Sequence, residues 1–201
     1  MKIVIFLLCL SSLLIACQGV EPQENDDYFD VLGLLDKQYE LLKINTVSLT
    51  KEAIIDLDTA VTSFVPDTTQ WKNELGIFRR LDINKPKWRG QYVISEAEDQ
   101  FSNLTIRTYT TNNAEAEVKY LKLYYLANIA DLRRIEASWQ ENNPVYTSER
   151  YLTLYFEDIN NKIVLSAFEV QGSQKMMLQK KVPFSIKSML DYQSLNLPQG
   201  F

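Results

Sequence analysis

Two spacings of apolar side chains alternate along the chain. Up to Phe78 they recur at steps of three and four; from Trp88 onward they recur at every second residue. The first spacing belongs to helices and the second to half-buried strands. Tyr28, Leu32, Leu35, Tyr39 and Leu42 form one stripe, with Asp36, Lys37, Glu40 and Lys43 on the other side, so an amphipathic helix is predicted, starting near Asn25–Asp27. Asp67 and Gln70 are spaced as a capping box ahead of Trp71, Leu75 and Phe78, a short second helix that stops before Asp82-Ile83-Asn84-Lys85-Pro86. Between them Val47 and Leu49 alternate like a strand, whereas Lys51–Thr59 fits a helix equally well.

The two-residue period after Trp88 predicts seven strands, near 88–95, 103–111, 117–125, 132–140, 148–158, 162–171 and 174–182. The turns between them are read at Asn112-Asn113, Ala127–Asp131, Asn142-Asn143-Pro144, Asn160-Asn161 and Gly172-Ser173; 184–201 is read as a short irregular tail. Connections this short join antiparallel neighbours, since a parallel crossover needs about a dozen residues. The fold class expected is α+β: N-terminal amphipathic helices on one face of an antiparallel up-and-down meander of about seven strands, with curvature into a half-barrel as a variant.

Register then sorts the side chains. A two-residue turn at Asn160-Asn161 puts Leu152, Leu154 and Phe156 on one face with Ile163, Leu165 and Ala167, and Tyr151, Tyr155 and Phe168 on the other. The same treatment of Asn112-Asn113 groups Arg107 and Tyr109 with Tyr120, Lys122 and Tyr124; alternation adds Arg134 and Glu136. The helices are expected to cover the Leu/Ile/Trp face. The candidate ligand or partner face is therefore Arg107, Tyr109, Tyr120, Tyr124, Arg134, Glu136, Tyr151, Tyr155 and Phe168. Tyrosine joins a rigid ring to a polar tip and suits ligand grooves and interfaces; the alternative is a ladder of cross-strand pairs with no further role.

Composition narrows the chemistry. Histidine is absent, which removes Ser-His-Asp triads, Cys-His pairs and His-ligated zinc. No GxxxxGK[ST] or GxGxxG motif occurs. The acidic group Glu96, Glu98 and Asp99 reads as a solvated turn. The formal net charge of -5, without basic clusters, argues against nucleic acid as a partner. A carboxylate hydrolase would need two acids, such as Glu136 and Glu149, to converge at roughly 5–10 Å.

The first residues set the expected address. Lys2, the apolar run Ile3–Leu10 and the small Ala16 before a cysteine are marks of a secretory signal. Leu14-Ile15-Ala16-Cys17 fits a lipobox, in which Cys17 receives a diacylglycerol and acyl lipid and becomes the first mature residue. Cys9 leaves with such a leader, so the mature chain forms no internal disulfide. The organisation expected is 1–16 lipoprotein signal peptide, 17–27 lipidated acidic tether and 28–201 a single α+β domain. No cofactor beyond the covalent lipid on Cys17 and no metal is called for.

Leu35-Asp36-Lys37-Gln38-Tyr39-Glu40-Leu41-Leu42, Trp71-Lys72-Asn73-Glu74-Leu75, Asp82-Ile83-Asn84-Lys85-Pro86 and Tyr146-Thr147-Ser148-Glu149 resemble stretches of uncharacterised Bacteroidota lipoproteins. That resemblance implies an outer-membrane, lipid-anchored address, on either the periplasmic or the surface side, and no established activity. In outline the architecture is also similar to the lipoprotein-carrier half-barrels, without a shared motif. The function expected is a non-enzymatic binding module whose Tyr-rich face takes a lipid or apolar ligand. An assembly subunit docking on another envelope protein is the alternative, and a carboxylate hydrolase comes last.

Overall fold

The computed structural model describes residues 28–193; the leader and the whole tether with Cys17 lie outside them. The elements are α1 (Val31–Ile44), β1 (Val47–Ile55), β2 (Asp58–Phe64), α2 (Thr68–Gly76), β3 (Val93–Glu98), β4 (Thr105–Thr110), β5 (Val118–Tyr125), β6 (Leu132–Asn142), β7 (Tyr146–Ile159), β8 (Lys162–Met176) and β9 (Val182–Tyr192). Short 3₁₀ turns cover Ile77–Leu81, Pro86–Trp88 and Ile129–Asp131. All nine strands form one antiparallel sheet in the order β2-β1-β9-β8-β7-β6-β5-β4-β3. The sheet is open, with β2 and β3 as its edges, and its fold class is the α+β meander that the sequence predicts.

Several boundaries differ from the sequence reading, each for a local reason. α1 begins later because Asp30 caps it, accepting from the Gly33 N–H at 2.8 Å. The stripe is consequently Val31, Leu35, Gln38 and Leu42, and Leu32 is only half-buried. Lys51–Ile55 is strand, not helix; it pairs with β2 through a turn in which Asp56 has φ 56°. Trp88 belongs to a 3₁₀ turn started by Pro86 rather than to a strand. Gly172 is not a turn residue. A Cβ there would lie 2.0 Å from the Glu149 carbonyl of β7, so this glycine marks close backbone approach inside a continuous β8. The turn comes instead after Met176, and Val182–Tyr192, read as the end of one strand and an irregular tail, is a full strand that pairs with both β8 and β1.

The core lies between the helices and one face of the sheet. Leu121, Ala137, Leu152, Val170 and Ile186 form one cross-strand row, and Leu123, Ile135, Leu154 and Phe168 the next. Leu35 and Leu42 from α1, Trp71 and Leu75 from α2, and Phe78, Leu81 and Ile83 after it pack on these rows. Gln38 is a buried polar member. Its Nε2 donates to the Ile163 carbonyl at 2.9 Å, and its Oε1 accepts from the Leu165 N–H at 2.8 Å. β8 has no β9 partner over these residues, since that pairing starts at Ala167, so one side-chain amide takes the place of a strand.

Candidate functional site

The face away from the helices gathers Tyr120 and Tyr124 from β5, Arg134 and Glu136 from β6, and Tyr151 and Tyr155 from β7. Tyr120, Ser138, Tyr151 and Gln171 lie in one row, and Lys122, Glu136, Thr153 and Glu169 in the next. Tyr124, Arg134, Tyr155 and Ala167 follow.

Arg107, Tyr109 and Phe168 are not part of it. The β4–β5 connection runs from Thr111 to Glu117 instead of turning at two asparagines, and the longer loop moves the pairing by five residues, an odd number that exchanges the faces of β4. Tyr109 therefore pairs with Leu121 and Arg107 with Leu123, on the helix side. Tyr109 is buried with its ring edge-on to Tyr28 at 5.8 Å, and Arg107 bonds Glu96, which also accepts from the Tyr125 hydroxyl at 2.8 Å. These bonds, from Tyr125 first and Arg107 second, hold the Glu96 carboxyl below its usual range. Phe168 moves for a different reason. A β-bulge at Ser166 adds a residue between the pairs Phe156–Leu165 and Tyr155–Ala167, so every later side chain of β8 changes face. Phe168 ends 2% exposed, edge-on to Phe78 at 5.6 Å.

Polar contacts tie the residues of the outer face together. The Tyr124 hydroxyl donates to Glu136 Oε2 at 2.7 Å, and the Arg134 guanidinium stacks on the Tyr124 ring 3.8 Å from its centroid. Arg134 Nε lies 3.0 Å from Glu136 Oε1 without a directed hydrogen bond, so this contact is a charge pair. Lys122 lies over the Tyr120 ring at 5.4 Å, and Tyr151, 44% exposed, donates to Glu149 Oε1 at 2.8 Å. Burial and the bond to Glu136 push the Tyr124 hydroxyl up to about 12. Burial raises Tyr120 and Tyr155 as well, and the bond to Glu149 raises Tyr151. At neutral pH these phenols are protonated donors rather than nucleophiles.

Glu136 and Glu149 share this face but not a site. Glu149 pairs with Gln140, four residues along β6 from Glu136, which at roughly 3.3 Å per residue separates them by about 13 Å. Among the described residues no group of three or more acidic, histidine or cysteine side chains is placed to hold a metal ion, and no helix is long and apolar enough to cross a membrane. Two cavities, of about 540 and 380 Å³, lie on the helix-bearing side, one beside α1 and one beside α2. Comparison of the chain with known protein families, with curated proteins and with solved structures finds no match.

Proposed function

We propose that the chain is a lipid-anchored, non-enzymatic contact module of the bacterial envelope, held at the outer membrane through Cys17 and docking on another envelope protein. The observation that carries the docking is the linked set of Tyr124, Arg134 and Glu136, with Tyr120, Tyr151 and Tyr155 around it, on a sheet face that no helix of the described residues covers. Tyrosine and arginine are the side chains that contribute most at protein interfaces, and here Tyr151 stands exposed and Tyr120, Tyr155 and Arg134 half-buried on rigid strands, with Tyr124 buried against the Arg134 guanidinium. The sequence also suggests a lipid or apolar ligand on this face. A protein partner fits better, because the two cavities described above lie on the helix side. The separation of Glu136 from Glu149 speaks against the hydrolase.

The test is capture from native membranes followed by mass spectrometry, with wild type compared against Arg134→Glu/Tyr151→Ala. A partner held by wild type and lost with the double variant, while a helix-side variant such as Asp36→Ala retains it, supports the proposal. Equal capture by all three proteins defeats it. The anchor has its own readout: Cys17→Ser must lose both membrane sedimentation and labelled palmitate.

A further inference from the structure

We propose that the groove between α2 and the ends of β1, β8 and β9 binds a single-chain amphiphile with a carboxylate head, and that Arg150 receives the carboxylate. This site is on the helix side and is independent of the tyrosine face.

Three observations converge. The cavity is about 380 Å³, within the roughly 300–1,000 Å³ typical of small-molecule sites, and its walls include Ile55, Ile77, Phe168, Val170, Phe184 and Ile186. Its charge is unbalanced. The lining holds Lys51, Glu74 and Arg150, and Lys51 is already matched by Glu74, whose two oxygens accept from its Nζ at 2.9 and 2.8 Å. Arg150 has no carboxylate within 4 Å among the described residues.

The third observation is that Arg150 is held in place by neutral groups. Its Nε donates to Ser148 Oγ at 3.1 Å and its Nη2 to the Tyr146 hydroxyl at 3.3 Å. The guanidinium also lies over the rings of Trp139 at 5.3 Å and Phe184 at 5.8 Å. Such contacts orient the fork without neutralising it, leaving a fixed positive charge beside an apolar trough. An anion with an apolar tail satisfies both. A long-chain alcohol fills the trough but leaves the charge unmatched, and a long-chain cation is repelled.

The groove also has an apolar approach. Beside it the β1–β2 turn reaches the start of β9, just past the β8–β9 turn, where the Asp56 N–H donates to the Pro183 carbonyl at 3.0 Å. Leu57 and Leu178 stand 91% and 96% exposed on those turns. An acyl chain leaving a lipid surface would meet these side chains before reaching Phe184.

The experiment titrates the purified full-length chain with sodium laurate, dodecanol or dodecyltrimethylammonium below micelle formation, following tryptophan fluorescence and calorimetry. Laurate is expected to bind at least tenfold more tightly than dodecanol, and the ammonium compound least. Arg150→Met should weaken laurate at least tenfold and leave dodecanol unchanged, with Arg150→Lys intermediate. Ile186→Trp, which fills the groove and keeps Arg150, should abolish both. Circular dichroism melts are the check that each variant is folded. Laurate affinity unchanged in Arg150→Met, or dodecanol binding equal to laurate, overturns the proposal. Phosphatidylglycerol vesicles test the other source of an anionic head: Arg150-dependent binding to them without laurate binding overturns the single-chain assignment.

Discussion

Phe168 and Tyr155 are diagonal neighbours on β8 and β7, and they show how differently the two faces of this sheet are held. Phe168 points toward the helices, packs edge-on against Phe78 and is shut off from water. Tyr155 points the other way, half-buried beside Arg134. On the covered side a ring contributes by filling volume that nothing else can fill. On the uncovered side rings and charges satisfy each other locally, and removing one leaves the neighbours in reach of water. The first face maintains the fold, and the second can change partners at small cost to it.

The most severe way to test that contrast is to truncate both rings. Phe168→Ala should destabilise by about 3–5 kcal/mol in urea unfolding, the range for emptying a closed aromatic site. Tyr155→Ala should cost about 1 kcal/mol or less, the scale of a cross-strand pair. Equal losses would mean that the outer face is as tightly packed as the core. Next comes Gly172→Ala. Because the new methyl would meet the Glu149 carbonyl, a loss toward the upper end of about 1–3 kcal/mol is expected, whereas a glycine in an ordinary open turn would tolerate the change. Gln38→Leu should cost about 1–3 kcal/mol by leaving the Ile163 carbonyl and the Leu165 N–H without their partner, and hydrogen exchange at Leu165 should rise with it.

What could be read from the chain divides along the same line. The capping box of Asp67 and Gln70 and the two-residue turn at Asn160 and Asn161, both with positive φ, follow from local chemistry and appear where the spacing puts them. So does the grouping of Tyr120, Tyr124, Arg134, Glu136, Tyr151 and Tyr155, because β5, β6 and β7 keep strict alternation there. Local chemistry does not encode the bulge at Ser166, since a serine in a run of apolar residues looks like any outward-facing position. One added residue there was enough to exchange Phe168 between faces. β2 is exposed along almost its whole length and so shows no apolar period, and β9 is interrupted by Ser188 on its inner face. The pairing of β1 with β9 joins residues far apart in sequence, for which periodicity offers no signal.

The smallest expected effect separates the faces by pH. Tyr124 is 5% exposed, yet its hydroxyl donates to a carboxylate on the outer face, and burial together with Glu136 raises it from the ordinary value near 10 to about 12. Because the folded protein holds this proton more tightly than the unfolded chain does, the associated stability is fully present below about pH 10. It is lost as the pH climbs toward about 12. Tyr124→Phe should accordingly be about 1 kcal/mol less stable than wild type at pH 7, and the difference should close between about pH 10 and 12. Tyr92, buried, and Tyr192, partly buried, are raised as well, titrate in both proteins and cancel from the difference. Urea unfolding of the pair across this range is the measurement. A gap that stays constant through pH 12 would show that the hydroxyl acts only by packing, which would make Tyr124 a member of the dry face in all but position.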